Sequence, residues 1–114
     1  MVVDQELSDA EVDRIFRALA DATRRDIVRR TLAEGQTVSQ LARDYDMSFA
    51  AVQKHVAVLE RAGLLVKRRS GREQLASGDM EAVRSVASLL GEFEQVWRGR
   101  IARIDALIAT DPEE

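Results

Sequence analysis

The chain contains no cysteine. That excludes disulfides, thiolate metal sites and thiol redox sensing together, and it suits a protein kept in the cytoplasm. Aromatic residues are only 4% of the 114 residues, so the core must be built mainly from Leu, Val, Ile and Ala, a composition that favours helices. No apolar run approaches the roughly 18 residues of a membrane span, and the start, MVVDQELSD, is not a secretory signal. There is a single histidine, His55, and neither a glycine-rich phosphate loop nor a cluster of acids in an evident pocket. Those absences argue against an enzyme. Internal repeats and low-complexity tracts are also missing.

What remains is 46% hydrophobic, enough for a core, in a length that predicts one domain over residues 1–114. The most informative stretch is TVSQLARDYDMSFAAVQKHVAVLERAGLLV, Thr37 to Val66. Val38, Leu41, Ala42 and Tyr45 form an apolar stripe at helical spacing, which Asp46-Met47 breaks. Ser48 stands where a helix N-cap belongs. Val52, Val56 and Leu59 then face inward on a second helix, leaving Phe49, Ala50, Gln53, Lys54 and, at its edge, His55 outside with no acid among them. Two helices meeting at a short turn, the second with such a face, predict a helix-turn-helix whose second helix lies in the major groove of DNA.

Charge supports this in its distribution rather than its sum. From Ser48 to Arg72 there are six basic residues, Lys54, Arg61, Lys67, Arg68, Arg69 and Arg72, against one acid, Glu60, a local charge of +5. The whole chain carries −3, so the remainder carries −8. One cationic face on an anionic body can bind phosphates while the rest repels them.

In chain order, Val2 to Ser8 is expected to be partly ordered, with Ser8 or Asp9 capping a helix from Ala10 to Ala20. Val12, Ile15, Phe16 and Leu19 line one side of it. Asp21 caps a helix from Ala22 to Ala33, with Ile27, Val28 and Leu32 inward and Gly35 as its stop. Arg24 and Arg25 have two readings, ion pairing with Asp21 or Glu34, or phosphate contact. Gln36 to Val38 is a short extended piece, and Ser39 caps a third helix, Gln40 to Tyr45. The recognition helix runs from Phe49 to Ala62 and stops at Gly63. A hairpin follows, with strands Leu64 to Arg69 and Arg72 to Ala76 about a Ser70-Gly71 turn, a wing able to reach a minor groove or phosphate. Asp79 caps a last helix from Met80 to about Ala109. Its stripe of Val83, Val86, Leu90, Phe93, Val96 or Trp97, Ile101, Ile104 and Ile108 extends about 45 Å at 1.5 Å per residue. So small a body cannot cover that length, so part of the stripe should face another chain. Gly91 and Gly99 weaken this helix locally, permitting a bend or a close helix contact. Asp111 to Glu114 is a frayed acidic end.

The span from Ile15 to Ile108 resembles the ArsR-type winged helix-turn-helix repressors. The resemblance rests on ALADATRRDIV (Ala18–Val28), on Thr37–Leu65 with its Leu-Ala, Met-Ser, Val-x-x-His and Val-Leu-x-x-Ala-Gly-Leu spacings, and on KRRSGR (Lys67–Arg72). It implies a mainly α fold with a small β-hairpin that dimerises through the first and last helices, and operator DNA bound by the recognition helix and wing, with transcription usually repressed. The departures are Ala22 where proline is common, Gln53 where serine is common, and a small Ala76 where many members end the wing with an aromatic, which suggests a loosely packed wing. A glutamine can bond two atoms of adenine, so the operator sequence should differ. Metal-sensing members use cysteines, or His and carboxylate pairs on the last helix. This chain has no cysteine, and His55 matches the family's DNA-helix histidine, so it resembles the non-metal subgroup, with no metal and no cofactor.

The expected DNA contacts are therefore Ser39, Gln40, Ser48, Phe49, Ala50, Gln53, Lys54, His55, Lys67, Arg68, Arg69 and Arg72. Ser48 serves as cap and phosphate contact. His55 has two open roles, a hydrogen bond within the protein or one to a phosphate. Arg68, Arg69 and Arg72 contact the backbone, though edge-strand charges also guard against aggregation. The expected dimer contacts are Ile15, Phe16, Leu19, Val86, Leu90, Phe93, Trp97, Ile101, Ile104 and Ile108. Phe93 and Trp97 are assigned to packing rather than to a ligand pocket. The function read from the sequence is a homodimeric repressor on a two-fold operator; the alternative is a winged-helix protein-interaction module without DNA binding. No inducing ligand is legible.

Overall fold

The computed structural model describes residues 7–109. The expectations for residues 2–6 and 111–114 lie outside them. Eight elements follow one another: α1 (Asp9–Leu19), α2 (Ala22–Ala33), β1 (Gln36–Thr37), α3 (Val38–Arg43), α4 (Phe49–Arg61), β2 (Leu65–Ser70), β3 (Glu73–Gly78) and α5 (Met80–Ala109). Three antiparallel strands in the order β1-β3-β2 complete a mainly α, winged helix-turn-helix fold.

Short polar side chains set the helix starts. Ser8 closes a capping box on α1: its hydroxyl accepts from the Glu11 N–H at 3.1 Å, and its own N–H donates to Glu11 Oε1 at 2.8 Å. Asp21 accepts from the Arg24 N–H at 3.0 Å, and that bond holds its carboxyl below the usual range. Thr37, not Ser39, caps α3, because its hydroxyl accepts from the Gln40 N–H at 3.1 Å while Gln40 Oε1 accepts from the Thr37 N–H at 2.9 Å. The helix therefore starts earlier than expected and ends at Arg43, leaving Tyr45 in the turn.

The stops differ from expectation in one case. α2 ends because Glu34 turns extended and leads into β1. Gly35 has no positive φ; its lack of a side chain matters because a Cβ there would lie 3.1 Å from Ser77 Oγ. α4 ends as expected at Gly63, whose φ is +82°. The Leu64 N–H reaches Leu59 O at 2.9 Å and the Gly63 N–H reaches Glu60 O at 3.0 Å, the pair of bonds of a Schellman stop.

The hairpin turns one residue later than expected. Ser70 pairs with Glu73, so Gly71 and Arg72 form the loop, and β3 runs on to Gly78. Gly71, with φ +65°, takes the first loop position, where a two-residue hairpin of this kind needs glycine. The small Ala76 does not loosen the wing. It lies opposite both Gln36 of β1 and Lys67 of β2 and is fully buried.

Ile15, Ala18, Ile27, Val28, Leu41, Val52, Val56, Leu59, Leu64, Leu65 and Ala76 form the core. Every one precedes α5. Ile15, expected to meet another chain, is 2% exposed and belongs to this core instead. Leu32, expected inside, is half-exposed. α5 has no buried residue at all; only Ala82, Val83 and Val86 near its start pack against the head. The molecule is accordingly long, 77 × 40 × 24 Å, with a radius of gyration of 20.3 Å against about 13 Å for a compact chain of this length.

Candidate nucleic-acid interface

The recognition helix α4 is fixed from below and free above. Val52, Val56 and Leu59 are buried, while Phe49, Ala50, Gln53 and Lys54 are exposed. Ser48 accepts from the Ala51 N–H at 3.0 Å, which leaves its own hydroxyl proton available to a phosphate.

Two polar networks hold this helix-turn-helix on the body. In the first, the Arg30 guanidinium reaches Asp44 Oδ2 at 2.6 Å and Gln36 Oε1 at 2.9 Å and lies 5.3 Å from the centre of the Tyr45 ring. The Tyr45 hydroxyl donates to Asp26 Oδ2 at 2.6 Å. Burial and that bond raise the Tyr45 phenol above its usual value. The turn between α3 and α4 is thus tied to α2 by a charge, a ring and a carboxylate.

In the second network Arg24 and Arg25 pair with neither Asp21 nor Glu34. Arg24 Nε donates to Ala18 O at 2.6 Å, Arg24 Nη2 to Arg17 O at 3.1 Å, and Arg25 Nη1 to Leu19 O at 2.8 Å. These are the last carbonyls of α1, where a helix C-terminus leaves acceptors open; Arg17 O additionally accepts from the Ala20 N–H at 3.2 Å. Arg24 Nη1 also lies 3.3 Å from His55 Nδ1. Arginine can only donate, so Nδ1 is the acceptor and the ring proton sits on Nε2. Through Nδ1, His55 ties α4 to the junction of α1 and α2, and its Nε2 is not engaged by that contact.

Beside α4 the wing opens a groove of about 420 Å³, in which Ser39, Phe49, Gln53, Lys67 and Arg72 come together. Lys67 is partly neutralised by Glu60 at 3.4 Å. Gln40 has its side-chain oxygen in the cap of α3, with its NH₂ left to donate. Strand alternation sends Arg68 and Arg69 to opposite faces of the wing, so they are not equivalent. Both, like Arg72, are exposed, and among the described residues none of the three forms an ion pair. Lys54 and Ala50 stand on the ridge above the groove. Periodicity gave no signal for the Arg30 network, nor for Arg24 meeting His55; the phrase ATRRD marks Arg24 only by family resemblance.

A recognition helix whose exposed residues Phe49, Ala50, Gln53 and Lys54 include no acid, an adjoining cationic wing and a braced turn define a winged helix-turn-helix DNA-binding regulator of transcription. Residues 19–68 match the helix-turn-helix domain family. The chain is 32% identical over 102 residues to the HTH-type transcriptional regulator Rv2034 of Mycobacterium tuberculosis, covering 90% of this chain and 92% of that protein. It is 30% identical to the solved structure of an ArsR-like transcriptional regulator from Rhodococcus sp. RHA1, with a TM-score of 0.75 over 86% of this chain and 92% of that one. The chain belongs to the ArsR family of transcriptional regulators, which are not enzymes. A more distant fold neighbour is 21% identical and has a TM-score of 0.62 over 83% of this chain and 92% of its own. That protein, from Mycobacterium bovis, is described as a homodimeric winged helix-turn-helix DNA-binding domain. No described helix is long and apolar enough to cross a membrane.

Proposed function

We propose that the protein is a homodimeric repressor, acting in the cytoplasm on a two-fold symmetric operator. The observation that carries DNA reading is the free face of α4 beside a wing whose Arg68, Arg69 and Arg72 form no ion pair among the described residues. Gln53 would take the adenine edge through two hydrogen bonds, and Phe49 and Ala50 would offer apolar surface to a thymine methyl. Lys54, Arg68, Arg69 and Arg72, with the hydroxyls of Ser39 and Ser48, hold the backbone.

Dimerisation is supported by α5. Leu90, Phe93, Trp97, Ile101, Ile104 and Ile108 are between 37% and 69% exposed, and Phe16 of α1 is 40% exposed. Leu19 and Val86, half-buried, would sit at the margin. A second copy would cover this surface isologously and present the two recognition helices about one turn of DNA apart, roughly 34–36 Å, or a multiple of it.

Selection of bound duplexes from a random pool yields the operator, and titration against salt on that operator and on a random duplex tests the assignment. Arg68→Ala with Arg69→Ala should weaken both duplexes and flatten the log–log salt slope by about 2, near 0.9 per phosphate contact. Gln53→Ala should instead change preference among operators. Equal effects of the two variants on both duplexes would defeat these roles. A wild-type chain that ignores every duplex at low salt would leave the protein-interaction alternative.

A further inference from the structure

The recognition helix is bracketed by two grooves, and only one belongs to the wing. On its other flank Arg14 and Arg17 of α1, Arg24 of α2 and Arg61 of α4 line a groove of about 430 Å³, with Ala18, Val58 and Ala62 as its apolar wall. No carboxylate lines it. The Arg24 guanidinium hydrogen-bonds only to neutral acceptors, two α1 carbonyls and the His55 ring, which hold its charge in place, while the Asp21 carboxylate at the α2 cap feels that charge from nearby. The side chains of Arg14, Arg17 and Arg61 are exposed and make no hydrogen bond or ion pair among the described residues. Glu11, Asp79 and Glu81 lie in the neighbouring groove, whose wall Arg14 and Arg61 also share, and Glu11 feels the charge of Arg14. Glu11 is engaged there by the Ser8 N–H.

Four arginines lining one groove place like charges close together, and an anion among them relieves the repulsion. The chain has 20 acids for 17 bases, so this clustering does not follow from composition. Its position indicates which anion. Lys54 and Arg61 are seven residues apart on α4, two turns on one face, about 10 Å along the axis. They form a cationic ridge from the base-facing end of the helix to this groove. The major groove is about 12 Å wide and a helix with its side chains about 10–12 Å across, so DNA strands run along both flanks of a seated helix.

We infer that the groove between α1 and α4 is a second phosphate-binding surface, taking the DNA backbone on the flank of α4 away from the wing. Arg17 and Arg61 are its mobile contacts, Arg14 extends it along α1, and Arg24 is its fixed charge. This rests on the DNA-binding reading above. A free phosphate anion shares the chemistry, and the test separates the two.

The test replaces Arg14 and Arg17 with glutamine, a comparable helix former, leaving the bracing Arg24 intact. Affinity is measured against salt on the selected operator and on a random duplex, beside wild type and the Arg68→Ala, Arg69→Ala variant. The expected result is a uniform loss on both duplexes, a slope flattened by about 2, unchanged base preference, and recovery of the slope with lysine at both positions. An unchanged slope in the glutamine variant, while the wing variant shows its loss, overturns the inference and spares the DNA-binding reading. Failure of wild type to bind any duplex overturns both. In a second arm inorganic phosphate is titrated calorimetrically. Phosphate binding that needs Arg14 and Arg17, with DNA affinity indifferent to them, would overturn the assignment to the backbone.

Discussion

The head, from α1 to β3, and the tail, α5, solve the burial problem differently. The head places all eleven of its fully buried hydrophobic residues in one cluster and caps its helices with its own side chains. The tail is 30 residues long, buries none, and carries Phe93, Trp97 and Ile108 at 60%, 54% and 69% exposure. Some of its solvent-facing polar groups engage one another, as in Arg98 with Glu94 at 2.7 Å and Arg100 over the Trp97 ring at 5.7 Å. Its apolar stripe has no such internal answer. A monomeric tail would be a helix held mainly by local propensity, and such helices are marginal in water. The head covers its own apolar surface; the tail leaves a stripe open, the surface that the proposed dimer would cover.

The largest expected effect breaks the head. Leu59 is fully buried where α4 meets the core, and Leu59→Ala should cost roughly 2–5 kcal/mol, read by denaturant unfolding. Leu90→Ala, half-exposed on the tail, should cost little in a dilute monomeric sample and more as concentration rises. Equal, concentration-independent losses at both positions would erase the distinction between the two regions.

The next effect breaks the tail. Phe93→Glu with Ile101→Glu places charge in the expected seam, where central contacts each carry about 2 kcal/mol or more. Sedimentation should then give a monomer, with operator affinity lost and the wing and core signals retained by NMR. A dimer that survives both substitutions would move the pairing surface elsewhere.

Much of this was legible because the head obeys local rules. Ser48 and Asp21 were found as caps, Gly63 as a stop, and Val52, Val56 and Leu59 as an inward face from spacing alone. Errors came where two local choices competed. Thr37 and Ser39 are both good caps, and the decision fell to Gln40, which completes a box with Thr37 only. Ala76 looked too small to seal the wing because strand register, which puts it against both neighbours, is a tertiary fact. The expected contact Ile15 fell on the core side of α1 while Phe16 beside it did not, a difference the whole stripe could not resolve. The arginine groove was invisible for the same reason. Its four residues come from three helices, and a charge count along the chain assigns most of them to an anionic body.

The smallest expected effect tests the comparison with one kind of change in both regions. Gly63 sits at φ +82°, in the left-handed region, and Gly63→Ala should destabilise the head by about 1–2 kcal/mol although nothing lies within 4 Å of the added methyl. Gly91, inside α5 with equally open surroundings, has no positive φ. There alanine should stabilise the helix by up to about 1 kcal/mol. Opposite signs in unfolding measurements would confirm that backbone geometry governs one site and helix propensity the other. The proposed dimer adds a further discrimination. If two tails approach closely at Gly91, the same methyl that favours the helix must weaken self-association, measured by dilution. A tail that becomes more helical while dimerising less would place the close approach there; one that gains in both would place the seam on the larger side chains alone.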